Sequence, residues 1–170
     1  MGKSRTRWPV RTYSRVVPRA SGRVLVVDDN KVIRQLIRVN LELEGFEVVT
    51  AGDGVECLDV VHRVRPDVVT LDVVMPRLDG LRTAARLRAD PRTQELPIAI
   101  VSACTRYEVD AGFAAGVDAF LSKPFEPAEL VRLVRELAER TVTGVGVVGG
   151  DGAAAASSPR AEESESSAQA

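Results

Sequence analysis

A fivefold alternation of short apolar runs with longer amphipathic stretches limits this chain to few folds. Residues 23–28 (RVLVVD), 46–50, 67–72 (DVVTLD), 97–102 (PIAIVS) and 117–121 are compact and largely β-branched, as strands are. A helical pattern follows each of them. Across 30–44 the apolar positions Ile33, Leu36, Ile37, Leu41 and Leu43 recur at helical spacing until Gly45 supplies a stop. Asp53 caps a second helix bearing Val55, Leu58 and Val61, which ends before Pro66. Residues 80–89, the weakly amphipathic 107–115, and 127–140 with Leu130, Leu133, Val134 and Leu137 complete the set; Glu126 and Glu129 open the last helix as a capping pair. Strands apolar on both sides belong in a parallel sheet covered by helices on both faces, because each right-handed crossover returns the chain to the same edge. The class is α/β, of (βα)5 order. Ligands of such sheets collect outside the carboxyl ends of the strands.

The 170 residues hold one such domain with roughly thirty to fifty residues to spare. Charge shows where the spare residues lie. Residues 1–22 carry six basic side chains and no acidic one, whereas 23–140 hold 16 basic and 20 acidic groups. This divides the chain into a flexible basic arm (1–22), a folded domain (23–140) and a Gly/Ala/Ser/Glu-rich tail with little to bury (141–170), read as disordered. The arm's charges attract phosphate whatever its sequence, so nucleic-acid contact is the lesser reading beside a plain extension. Cys57 and Cys104 are too few for a disulfide framework and lack zinc spacing, which points to a reducing, cytoplasmic setting and to small buried hydrophobes. No apolar run approaches the roughly 18 residues of a membrane span, and the N-terminus lacks a secretory apolar stretch.

At the carboxyl edge the first strand ends in Asp28 and Asp29, the third in Asp72 and the fourth in Ser102, while the fifth runs into Lys123. Two carboxylates about 4 Å apart repel by roughly 4 kcal/mol at an effective dielectric near 20, so three together call for a cation. Mg²⁺ suits them: it takes oxygen ligands and pairs one or two carboxylates with a phosphate. A carboxylate beside it can attack phosphorus and form an aspartyl phosphate. Lys123 and Ser102 then have roles, one neutralising a phosphoryl oxygen and the other donating to it. Only three of the chain's 23 basic residues are Lys, and a compact ammonium fits a narrow phosphate pocket better than a guanidinium fork.

The stretches VLVVDDN (24–30), DVVMPRLDG (72–80), SA (102–103) and GVDAFLSKPF (116–125) resemble the receiver domain of bacterial two-component response regulators, in order and spacing, over about residues 23–140. The resemblance implies a flavodoxin-like sheet of order 2-1-3-4-5. It implies that Asp72 accepts a phosphoryl group from the histidine of a sensor kinase or phosphotransfer protein. Mg²⁺ would be held by Asp29, Asp72 and the backbone carbonyl of Val74, with Asp28 acting through water. Ser102 would be the switching hydroxyl, Lys123 its partner at the phosphoryl group, and Phe120 the ring that turns inward on activation. Pro124 would follow a cis peptide, and Pro76 and Gly80 would shape the loop after the third strand. Ser stands where Thr is more frequent at 102 and Phe where Tyr is at 120, while Val74 and Cys104 occupy variable rim positions.

Asp28 and Asp29 have a plainer reading as caps of the first helix, and His62 lies on the second helix, away from the edge, as a solvated residue. No helix-turn-helix follows residue 140, so the expected output is a protein contact through the fourth helix, fifth strand and fifth helix. The leading expectation is a single-domain response regulator, not an enzyme toward external substrates, that switches binding to a downstream target. Alternatives are a phosphorelay shuttle, a phosphorylation-independent scaffold, and a phosphatase, which lacks a second acid where Val74 lies.

Overall fold

The computed structural model describes residues 21–103 and 105–143. Strands and helices alternate as β1 (Arg23–Val27), α1 (Lys31–Leu43), β2 (Glu47–Ala51), α2 (Gly54–Val64), β3 (Val68–Leu71), α3 (Gly80–Ala89), β4 (Ile98–Ser102), α4 (Arg106–Ala114), β5 (Ala119–Ser122) and α5 (Pro127–Thr143). All strands pair in parallel in the order β2-β1-β3-β4-β5, the flavodoxin-like order. The expectations for the basic arm before Ser21, for the tail after Thr143 and for Cys104 lie outside the described residues. Helix α5 continues to Thr143 instead of stopping at 140.

Successive strand residues point to opposite faces, and each face builds its own core. Leu25, Val27, Val69, Leu71, Ile98 and Ile100 meet Cys57 and Val61 of α2 and Ala84 and Leu87 of α3. Val24, Val26, Val68, Ala99 and Val101 meet Ile37 and Leu41 of α1 and Leu130, Val134 and Leu137 of α5. Each large aliphatic side chain taken fully out of water contributes roughly 1.5–3 kcal/mol, so the two layers hold the sheet rigid.

Asn30, Asp53 and Asp79 cap α1, α2 and α3, each accepting amide hydrogens of the first turn. The plainer reading of Asp28 and Asp29 as caps is thereby displaced by Asn30. At α5, the Glu129 carboxylate accepts the Glu126 N–H at 3.3 Å, half of a capping box.

Burial divides the apolar positions of α1, and one strand boundary needs correction. Helical spacing groups Leu36 and Leu43 with the core positions of α1, yet they are 44% and 78% exposed; only Ile37 and Leu41 are fully buried, with Ile33 packed beside them. Residues 33, 37 and 41 follow one i, i+4 row toward the sheet, while 36 and 43 lie on a neighbouring row with Val32 and Val39. β5 begins at Ala119, not 117. Gly116 (φ +83) ends α4, and the Val117 amide turns back to the Gly112 carbonyl at 3.0 Å, so buried Val117 closes the helix before the strand starts.

Candidate functional site

Strand register assembles the pocket. Val27 pairs with Leu71 and Ser102 with Ser122, so Asp28, Asp72 and Lys123 each sit one residue past the last registered pair, at the carboxyl edge. The ladder extends into them: the Asp72 N–H donates to the Val27 carbonyl at 2.9 Å and the Lys123 N–H to the Ser102 carbonyl at 3.1 Å. Ser102 closes β4 and is buried.

Oxygen atoms of Asp28, Asp29 and Asp72 lie within 4.8 Å of one another. Asp28 and Asp72 are buried and Asp29 faces solvent, so the cluster opens to one side. The Lys123 ammonium donates to Asp28 Oδ2 at 2.7 Å and stands 3.5 Å from Asp72 Oδ2. Oδ1 of Asp28 accepts the Asn30 N–H at 2.8 Å, and Oδ1 of Asp72 accepts the Val73 N–H, also at 2.8 Å. Burial pushes the Asp28 carboxyl up and the Asp72 charge adds to this. Lys123 and the Asn30 amide pull down and do not fully compensate, so the group sits above its ordinary range. One ammonium among three carboxylates leaves net negative charge and hard oxygen donors facing outward, and this donor set fits Mg²⁺.

Val74 is on the rim, 72% exposed. Gly80 is required by close approach: a Cβ there would lie 2.0 Å from the Asp72 carbonyl oxygen, and its N–H donates to the Val73 carbonyl at 2.9 Å. Pro76 lies in the same loop, its carbonyl accepting the Leu78 N–H at 2.7 Å. The Lys123–Pro124 peptide is cis. Phe120, half-buried on β5, meets Phe113 of α4 edge to face, with centroids 4.7 Å apart and planes at 63°. Gly112 makes room for this ring, since a Cβ would fall 2.4 Å from its Cζ.

His62 is not simply solvated. Its Nε2 lies 3.2 Å from Asp90 Oδ2, near the last turns of α2 and α3 and far from the acidic pocket. Sequence reading also missed Asn30 as a donor to Asp28, Arg34 as a donor to the Asp28 carbonyl, and an Arg77–Asp53 ion pair beside the pocket. None has a periodic signature; the first two are local contacts at the start of α1, and the third depends on which loops fold side by side.

A doubly wound parallel sheet with an acidic pocket at the carboxyl ends of β1 and β3 defines a flavodoxin-like receiver domain. The chain belongs to the response regulator receiver domain family, whose sequence profile matches residues 24–135. It is 45% identical over 120 residues to response regulator MprA of Mycobacterium sp. (strain KMS), covering 70% of this chain and 51% of that protein. It is 36% identical over 120 residues to the DNA-binding dual master transcriptional regulator RpaA of Synechocystis, covering 70% of this chain and 50% of that one. The chain thus spans about half the length of the curated relatives it matches. Among solved structures, chemotaxis protein CheY4 of Vibrio cholerae aligns with a TM-score of 0.65 at 33% identity, covering 68% of this chain and 97% of that one. The receiver domain of Francisella response regulator 1452 aligns at 0.66 and 36%, covering 71% and 98%. Receivers of this family are phosphoacceptors in two-component signalling that work with histidine kinases, and aspartyl phosphate and Mg²⁺ are general features of the family. Among the described residues, no helix is long and apolar enough to cross a membrane.

Proposed function

We propose that this chain is a cytoplasmic response regulator whose folded domain works as a phosphorylation switch, with Asp72 taking a phosphoryl group from a sensor histidine kinase or phosphotransfer protein. The observation that carries this reading is the convergence of Asp28, Asp29 and Asp72 within 4.8 Å around an ammonium held at 2.7 Å and 3.5 Å. Mg²⁺ would be held by Asp29, Asp72 and the Val74 carbonyl, with Asp28 acting through water, and would screen the charge between an incoming phosphate and the carboxylates. Asp72, tethered through Oδ1 to the Val73 amide, keeps Oδ2 as the attacking oxygen. Lys123 already faces that oxygen and is placed to neutralise a phosphoryl oxygen there. Ser102, at the end of β4, closes onto the phosphoryl group in the active state.

The readout is a change in the face formed by α4, β5 and α5, where Phe120 rests on Phe113. Because Phe120 has no hydroxyl, its contribution is packing, and the covalent phosphoryl group biases two arrangements of this face that bind a downstream target differently.

Incubation with a small phosphodonor and Mg²⁺ is expected to add one phosphoryl mass to the wild type and none to Asp72→Asn. Capture of target by the labelled form alone supports the switch, whereas equal capture by both forms supports a scaffold. Transfer of the label to a second protein supports a shuttle.

A further inference from the structure

The loop from Asp72 to Gly80 carries the backbone on which the proposed metal site depends, and a charge outside the pocket ties it down. At its base the Gly80 N–H donates to the Val73 carbonyl at 2.9 Å, and the Val73 N–H holds Asp72 Oδ1 at 2.8 Å. Near its tip Arg77 has φ +64, a left-handed conformation that residues with a Cβ rarely adopt and that persists only where the surroundings enforce it. The Leu78 N–H, donating to the Pro76 carbonyl at 2.7 Å, closes a tight turn around Arg77, whose side chain reaches Asp53. Arg77 donates from Nε to Asp53 Oδ2 at 2.7 Å and from Nη2 to the same oxygen.

Asp53 is a rigid anchor, 5% exposed, with Oδ1 already accepting the Val55 and Glu56 amides at 2.9 and 3.0 Å in the first turn of α2. Burial pushes its carboxyl up, but the Glu56 amide and Arg77 more than compensate, leaving it below the usual range and charged. Beside the pair, the Gly54 N–H donates to the Leu78 carbonyl at 3.3 Å, and a Cβ on Gly54 would stand 2.7 Å from that oxygen. The tip of the loop is thus seated on the N-terminus of α2, and Val74 lies between the fixed base and the fixed tip.

We propose that Arg77 is a positioning residue: by pairing with Asp53 it fixes the 72–80 loop so that the Asp72 carboxylate and the Val74 carbonyl stand ready for a divalent cation. The inference rests on the reading of the pocket as a Mg²⁺-dependent phosphoacceptor site and gives a role to an ion pair outside it. Groups that orient metal ligands without touching the metal commonly alter affinity by about tenfold or more.

The test uses the full chain and Mn²⁺ alone as probe, titrated by calorimetry or by electron paramagnetic resonance of the free ion. Arg77→Gly accepts φ +64 and removes the ion pair together with the side chain, while Asp53→Ser keeps a capping oxygen and removes the charge. Each is expected to weaken Mn²⁺ binding about tenfold, and the double variant no further, because the two residues act as one unit. Arg77→Gln, which keeps much of the length of the side chain and removes the charge without the added backbone freedom of glycine, should show the same loss, and Arg77→Lys should recover part of it. A role confined to stability would move only the urea midpoint. Mn²⁺ affinity within about twofold of wild type in Arg77→Gly and Arg77→Gln overturns the inference and leaves the proposed function standing. A wild-type chain that binds no Mn²⁺ overturns both.

Discussion

Asp28→Asn should stabilise the metal-free protein at neutral pH, although it removes an ion pair. The wild-type carboxylate is 2% exposed, accepts Lys123 Nζ at 2.7 Å and lies within 4.8 Å of the Asp72 and Asp29 oxygens. At an effective dielectric near 20, the Lys123 attraction is about 6 kcal/mol and the Asp72 repulsion at least about 3.5 kcal/mol. Exposed Asp29 adds roughly 1 kcal/mol of repulsion at the dielectric of water. Coulomb terms alone therefore favour the charge by only about 1.5 kcal/mol. Desolvating a carboxylate costs several kcal/mol, so removing the charge wins by on the order of 1–2 kcal/mol. Asparagine keeps one oxygen for the Asn30 amide, while Lys123 gives up Asp28 Oδ2 and retains Asp72. The pH dependence has a definite sign. A carboxyl whose folded pKa lies above its ordinary 3.8 binds its proton more tightly folded than unfolded, so stability falls as pH rises through the folded value. The advantage of the Asp28→Asn variant is full at about pH 7.5 and shrinks toward about pH 4. Urea denaturation with a chelator present reads it as a midpoint raised by about 0.5–1 M with unchanged slope. A lower midpoint at neutral pH would refute the reasoning.

Three further outcomes follow from the geometry. Gly80→Ala forces a methyl to within 2.0 Å of the Asp72 carbonyl and should cost about 3 kcal/mol or more in chemical denaturation; a wild-type midpoint contradicts this. Arg92, by side-chain and backbone hydrogen bonds, holds the Asp90 carboxyl down at about 2. This depressed group adds stability above its ordinary pKa and loses it as pH falls through about 2, and carboxyl NMR should find its titration returning toward the ordinary range in Arg92→Ala. Burial pushes the Cys57 thiol up to about 12, so in a Cys104→Ser background it should resist a thiol reagent at about pH 8 until the protein is unfolded.

Most of the architecture was legible because its signals are local. The apolar runs of β1, β3 and β4 and the i, i+4 rows of α1 and α5 are periodic, and period survives in a bare sequence. The pocket was legible for a related reason: Asp28, Asp72, Ser102 and Lys123 stand at or just past strand ends, and parallel register brings such positions together. Less visible was the division between one helix row and the next, since the spacing that marks α1 does not say that Leu36 and Leu43 stay exposed. Buried Val117 read as strand because apolar burial alone does not separate a helix stop from a strand start. The Arg77–Asp53 and His62–Asp90 pairs join loops and helix ends 24 and 28 positions apart, which no spacing rule connects.

Borohydride reduction of a phosphodonor-treated chain, followed by peptide mass mapping, bears most directly on the central claim, because an acyl phosphate on aspartate is reduced to homoserine where it formed. Conversion confined to position 72, dependent on Mg²⁺, is the predicted result. Conversion at Asp28 or Asp29 instead, or none at 72 under conditions that label the chain, would contradict it.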